Sequence, residues 1–149
     1  MTRRSRVATL AAIVWLLLGS QAYADLSLGS LLGGSPTYTP QQISAMGRIY
    51  PHNERLLPGC HLYPWSYAIR PPQGVNWEVD IYISGPRGKQ LAANALMKGA
   101  DGYTGTRYYK LCSAVAPRGT YTIVAVMNLW GSSGVDQAGH LPTVHYSMY

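Results

Sequence analysis

The 149-residue sequence predicts an all-β protein: an antiparallel β-sandwich of about six to seven strands, with one short N-terminal helix and one disulfide. Three observations carry this. From residue 60 onward apolar and polar residues alternate with a period of two, the signature of strands buried on one face. Gly/Pro clusters cut these runs into short segments. No helix-period stretch exceeds two turns. The composition agrees, since 12% charged residues argue against a coiled coil and 47% apolar residues argue against disorder. The length fits one folding domain.

Residues 1–24 read as a cleaved signal peptide. Arg3, Arg4 and Arg6 precede a 12-residue apolar stretch, and Ala22-Tyr23-Ala24 supplies the small-x-small cleavage pattern before Asp25. The apolar stretch is short of the ~20 residues a bilayer demands, so no membrane span is expected after cleavage. Residues 25–38, rich in Ser, Gly and Leu without a period, read as a flexible leader, and residues 39–149 as the single β-sandwich domain. Heavy use of Ala, Gly and Arg with little Lys points to a GC-rich bacterial coding sequence.

The helix comes first. Thr39 can cap, Pro40 suits the first helical position, Gln42 completes a capping box and Gly47 suits the far end. Ile43 and Met46 share a face, and so short a helix needs a surface to pack on. Residues 60–70 read as the first strand, with Pro64 forcing a bulge or an edge. The clearest strand is 74–83, with Val75, Trp77, Val79, Ile81 and Ile83 on one side and Asn76, Glu78, Asp80 and Tyr82 on the other. A turn at 85–88 leads to a weaker strand at 89–97, and a turn at 99–102 leads to an alternating strand at 103–112. After Pro117-Arg118-Gly119 comes the long β-branched strand 120–130, then a polar, glycine-rich loop at 131–140 and a last strand at 143–149. The segment 117–124 (PRGTYTIV) resembles the Pro-x-Gly-Thr-Tyr-Thr stretch of secreted immunoglobulin-like modules. That resemblance covers eight residues and implies an immunoglobulin-like general architecture.

An exported chain with two cysteines, Cys60 and Cys112, is expected to pair them. The closed loop of about 50 residues would contribute on the order of 4 kcal/mol through chain entropy. The bond would join the first strand to the fourth, and is expected to pin the two sheets together with Trp77 beside it. A metal pair or a reactive thiol is the competing reading, and the wide spacing disfavours it.

Without the leader arginines the chain carries nine basic and six acidic residues, a net +3. The basic residues are scattered, so the concentrated footprint of a nucleic-acid binder is missing. No P-loop, dinucleotide fingerprint or nucleophile elbow occurs, and no cofactor is expected. The histidines His52, His61, His140 and His145 lack metal-site spacing. Glu78 and Asp80 share a strand face about 7 Å apart at Cα. Paired carboxylates at such distances serve glycoside hydrolysis and can hold calcium, though a solvated face needs neither.

The aromatic inventory is the unusual feature, with 12 tyrosines and no phenylalanine. Tyrosine tolerates a half-wet site, so the reading assigns core filling to Ile, Val, Leu and Met. Tyr63, Trp65 and Tyr67 share one face of the first strand, and Tyr82 lies with Glu78 and Asp80. Trp65, Tyr67, Tyr82, Glu78 and Asp80 are therefore the expected binding residues, and sheet propensity with core packing is the competing explanation for the rings. The expected function is a secreted, non-catalytic binding or scaffold module for a polysaccharide or an extracellular protein. The alternatives are a wall-polymer hydrolase or lyase using Glu78 or Asp80 with a histidine, and an inhibitor or effector acting through the loop at 131–140.

Overall fold

A computed structural model describes residues 37–131 and 136–149. The expected signal peptide (residues 1–24), residues 25–36 of the expected leader and residues 132–135 lie outside the described residues.

The chain forms helix α1 (Pro40–Ala45) and eight strands: β1 (Gly47–Pro51), β2 (Cys60–Ile69), β3 (Asn76–Ser84), β4 (Gln90–Met97), β5 (Thr104–Cys112), β6 (Gly119–Trp130), β7 (Asp136–His140) and β8 (Val144–Met148). They build two antiparallel sheets. One has the order β1-β2-β5. The other has the order β4-β3-β6-β7, with β8 also paired to β6. The expected sandwich is therefore present, with the fourth strand on the same sheet as the third. Its core is the row of inward side chains on the long strands: Trp77, Val79, Ile81 and Ile83 from β3 face Tyr63, Trp65, Tyr67 and Ile69 from β2. Tyr121, Ile123, Ala125, Met127 and Leu129 of β6 complete it.

The Thr39 capping box forms as expected. The Thr39 hydroxyl accepts from the Gln42 amide at 3.2 Å, and the Thr39 amide donates to Gln42 Oε1 at 2.7 Å. The helix owes its place to Gly139, since a Cβ there would sit 2.8 Å from the Ile43 side chain. Tyr38, at the end of the expected leader, is already part of the domain, packing on the core and donating its amide to Gln137 Oε1.

Four features depart from the sequence reading. First, residues 60–69 are the second strand, since the five-residue β1 precedes them. Second, Asp136–His140 is a strand and not loop, because its backbone completes the edge of β6. The edge beyond β6 is thus shared by two short strands. His140 pairs with Val126 and Val144 with Ile123, so residues 141–143 oppose only Val124 and Ala125. The extra residue is a bulge at Pro142. Beyond β8, residues 54–56 run alongside in parallel, with Glu54 and Leu56 amides donating to the carbonyls of Ser147 and Tyr149. Third, Pro64 causes neither bulge nor edge. β2 is the central strand of its sheet, and Pro64 stays in register with Tyr108. The Ile69 amide bonds toward β5 and the Arg70 amide toward β1, so alternation turns the Pro64 nitrogen toward β1, which has already ended opposite Trp65.

Fourth, the Cys60–Cys112 disulfide forms, but it does not join the sheets. The two cysteines are direct partners on adjacent strands β2 and β5, with Cα atoms 3.9 Å apart. The Gly59 amide donates to Ser113 Oγ and the Ser113 amide to the Gly59 carbonyl, which extends the clamp by one residue on each strand. Such a bond is consistent with an oxidising compartment.

The PRGTY stretch has a structural meaning. Tyr121 is wholly buried near the start of β6, and its hydroxyl donates back to the Pro117 carbonyl at 2.8 Å. This bond ties the start of β6 back to the turn before it and so pins the crossing from β5 to β6.

Candidate functional site

Trp65 and Tyr67 are core residues, 0% and 5% exposed, and cannot stack on an external ligand. The alternation correctly groups Tyr63, Trp65 and Tyr67, but their shared face points inward. Leu62 takes the outside position at 65% exposed. The reason is volume. A two-sheet interior needs large side chains, and with no phenylalanine in the chain the tyrosines fill it. Tyr63, Tyr109, Tyr146 and Tyr121 run through the core as a chain of rings with centroids 5.9, 6.2 and 5.5 Å apart. Ile, Val, Leu and Met do fill much of the core, and the tyrosines and tryptophans share it with them rather than staying at half-wet sites. The Tyr63 hydroxyl accepts from the Leu57 amide, whereas the buried Tyr146 hydroxyl meets no partner at full hydrogen-bond geometry and has only the Tyr109 hydroxyl beside it. Burial pushes the Tyr109 hydroxyl up to about 12 and raises those of Tyr121 and Tyr146.

Glu78, Asp80 and Tyr82 do lie together on the outer face of the five-stranded sheet, as the period of two in β3 requires. The register adds residues from β6. Glu78 is paired with Asn128, Asn76 with Trp130 and Asp80 with Val126. The Asn128 amide reaches diagonally and donates to Asp80 Oδ2 at 3.0 Å. Beside them opens a cleft of about 500 Å³ lined by Glu78, Asn128, Leu129, Trp130, Gln137 and Ala138. Among the described residues the Glu78 carboxylate has no hydrogen-bond or ion-pair partner, so its oxygens remain available in the cleft. Lys98 closes the near end of the same face, donating to Asn76 Oδ1 and to the Val75 carbonyl. Tyr82, 37% exposed, lies farther along β3.

Trp130 and Asn128 were missed as site residues. The signal was present, because alternation through residues 120–130 places both opposite Met127 and Leu129. The chemistry of the face is that of a shallow polar platform with one indole. No group of three or more His, Cys, Asp or Glu side chains among the described residues could hold a metal ion. His145 is engaged with the Thr122 hydroxyl at 3.0 Å and His61 with the Pro58 carbonyl at 2.7 Å. The one ion pair among the described residues lies elsewhere, between Arg107 and Asp101. Partial burial alone would raise the Asp101 carboxyl, but bonds from Arg107 and the Met97 amide outweigh it and hold the group below the usual carboxylate range. No family model and no curated protein matches this chain.

Proposed function

We propose that the protein is an exported, non-catalytic binding module that holds a polysaccharide on the outer face of its five-stranded sheet. One observation carries the reading: Trp130, Glu78 and Asn128 meet in one open cleft of about 500 Å³. An indole offers an apolar plane for a sugar ring, and a free carboxylate beside an amide offers acceptors and a donor for its hydroxyls. The composition of residues 1–24 and the disulfide support export.

The test is a pull-down of the disulfide-bonded protein with insoluble polysaccharides and purified cell walls, with pellet and supernatant assayed separately. The expected result is protein in the pellet, with Trp130→Ala and Glu78→Gln each weakening retention at least tenfold while the melting temperature holds. Tyr82→Ala, farther from the cleft, is expected to weaken it less. Sugar released into the supernatant and abolished by Glu78→Gln would replace binding with hydrolysis. Retention of nothing across the panel would overturn the polysaccharide reading in favour of a protein partner.

A further inference from the structure

A second cleft, of about 280 Å³, lies on the other sheet, beside the junction of α1 and β1. Arg48 and Arg70 line it together with Ser44, Tyr50, Ala68 and Pro142. Arg48 is paired with Ala68, and the Arg70 amide bonds to the Met46 carbonyl, so Arg70 stands two residues beyond Ala68, just past the end of β2 and on the same face. The two arginines are thus diagonal neighbours on the outer face, a relation that sets Cα atoms about 7–8 Å apart. Ala68 between them is small and leaves a floor. Both arginines are exposed, and among the described residues neither guanidinium has a carboxylate or other hydrogen-bond partner. Arg107 has Asp101 and Lys98 has Asn76, whereas Arg48 and Arg70 line one cleft and, among the described residues, neither is paired with a counter-charge.

We infer that the Arg48–Arg70 cleft is a binding site for a phosphate or sulfate group. Two guanidinium forks on either side of a small-residue floor can each present paired N–H donors to one tetrahedral oxyanion, and its charge relieves their mutual repulsion. The Ser44 and Tyr50 hydroxyls stand in the same cleft as further donors. A neutral sugar would leave both charges unanswered, so this site differs in ligand chemistry from the Trp130 cleft and stands independently of it.

The test is a ¹⁵N-NMR titration of the disulfide-bonded protein with inorganic phosphate, inorganic sulfate and a short poly(glycerol phosphate), at ionic strength held constant with chloride. The expected result is saturable shifts at Ser44, Arg48, Ala68 and Arg70. Arg48→Gln and Arg70→Gln should each weaken binding about tenfold, as loss of a charge-assisted bond implies. Arg70→Lys, which keeps the charge and loses the fork, should weaken it severalfold, and Arg118→Gln should leave it unchanged. Tighter binding of the polymer than of free phosphate at equal phosphate concentration assigns the group to a polymer, and equal binding assigns it to the free anion. Shifts that do not saturate, or Gln variants that bind like the parent, overturn the site. Trp130→Ala should leave this titration untouched, so failure here and failure of the polysaccharide reading are told apart.

Discussion

Tyr121 and Tyr146 are neighbours in the core, 5.5 Å between ring centroids, yet removing their hydroxyls should have opposite consequences. Tyr121 is fully buried and its hydroxyl bonds the Pro117 carbonyl at 2.8 Å. Tyr121→Phe keeps the ring and deletes one bond, whose net worth is about 1 kcal/mol. Tyr146 is 4% exposed, and its hydroxyl meets no partner at full hydrogen-bond geometry, with only the Tyr109 hydroxyl beside it. Burying an unbonded hydroxyl costs roughly 1–3 kcal/mol, so Tyr146→Phe should leave stability unchanged or raise it by up to about 1 kcal/mol. The assay is urea unfolding of both variants, disulfide intact. With a slope of about 1.5 kcal/mol/M, Tyr121→Phe should lower the midpoint by about 0.7 M without changing the slope. In a thermal scan the loss corresponds to about 4 °C. A neutral Tyr121→Phe would mean that the bond to the Pro117 carbonyl is replaced by water at no cost. A Tyr146→Phe variant as unstable as Tyr121→Phe would mean that its hydroxyl is bonded after all. Either result refutes the reasoning from hydrogen-bond satisfaction.

Three further outcomes follow from the packing and the charges. Reducing Cys60–Cys112, which closes a separation of 52 residues, should cost about 4 kcal/mol in the chain-entropy model and appear as a lower urea midpoint in dithiothreitol. Gly139→Ala should cost about 1–3 kcal/mol in a thermal melt, because its Cβ would meet Ile43 at 2.8 Å and push α1 off β7. Stability should fall as pH rises above about 10, where tyrosines of the unfolded chain release protons. The folded protein holds its protons longer, with Tyr109 raised to about 12, so the native state binds more protons across that window and loses ground throughout it. Urea midpoints against pH, followed with tyrosinate absorbance, check this.

The local grammar of the chain was readable. The Thr39-Pro40-Gln41-Gln42 cap, the alternation of β3 and β6, and the turn at 85–88 all depend on near neighbours in sequence. Pairing was not readable. β7 is polar and contains Gly139, so nothing local marks it as a strand, and only β6 beside it supplies the hydrogen bonds. The disulfide was legible as a bond and not as an in-sheet clamp, because spacing carries no information on which strands are adjacent. Glu78, Asp80 and Tyr82 were placed on one exposed face because their inward neighbours are all apolar. In β2 both faces carry large apolar residues, Leu62 on one and Tyr63, Trp65 and Tyr67 on the other, so periodicity grouped the rings without saying which way they face.

The bulge at Pro142 bears on how the molecule meets copies of itself. β6 is twelve residues long, and an unbroken strand of that length at the margin of the sheet would offer a long straight row of unpaired amides for another chain to join. The margin is instead split into two five-residue pieces with a proline between them, and residues 54–56 occupy the amides beyond β8. An incoming strand would lose register at the bulge after a few bonds, and it would find the far piece already taken. Straightening this margin by removing Pro142 and its extra residue would lengthen the ladder and turn a protected border into a template for aggregation.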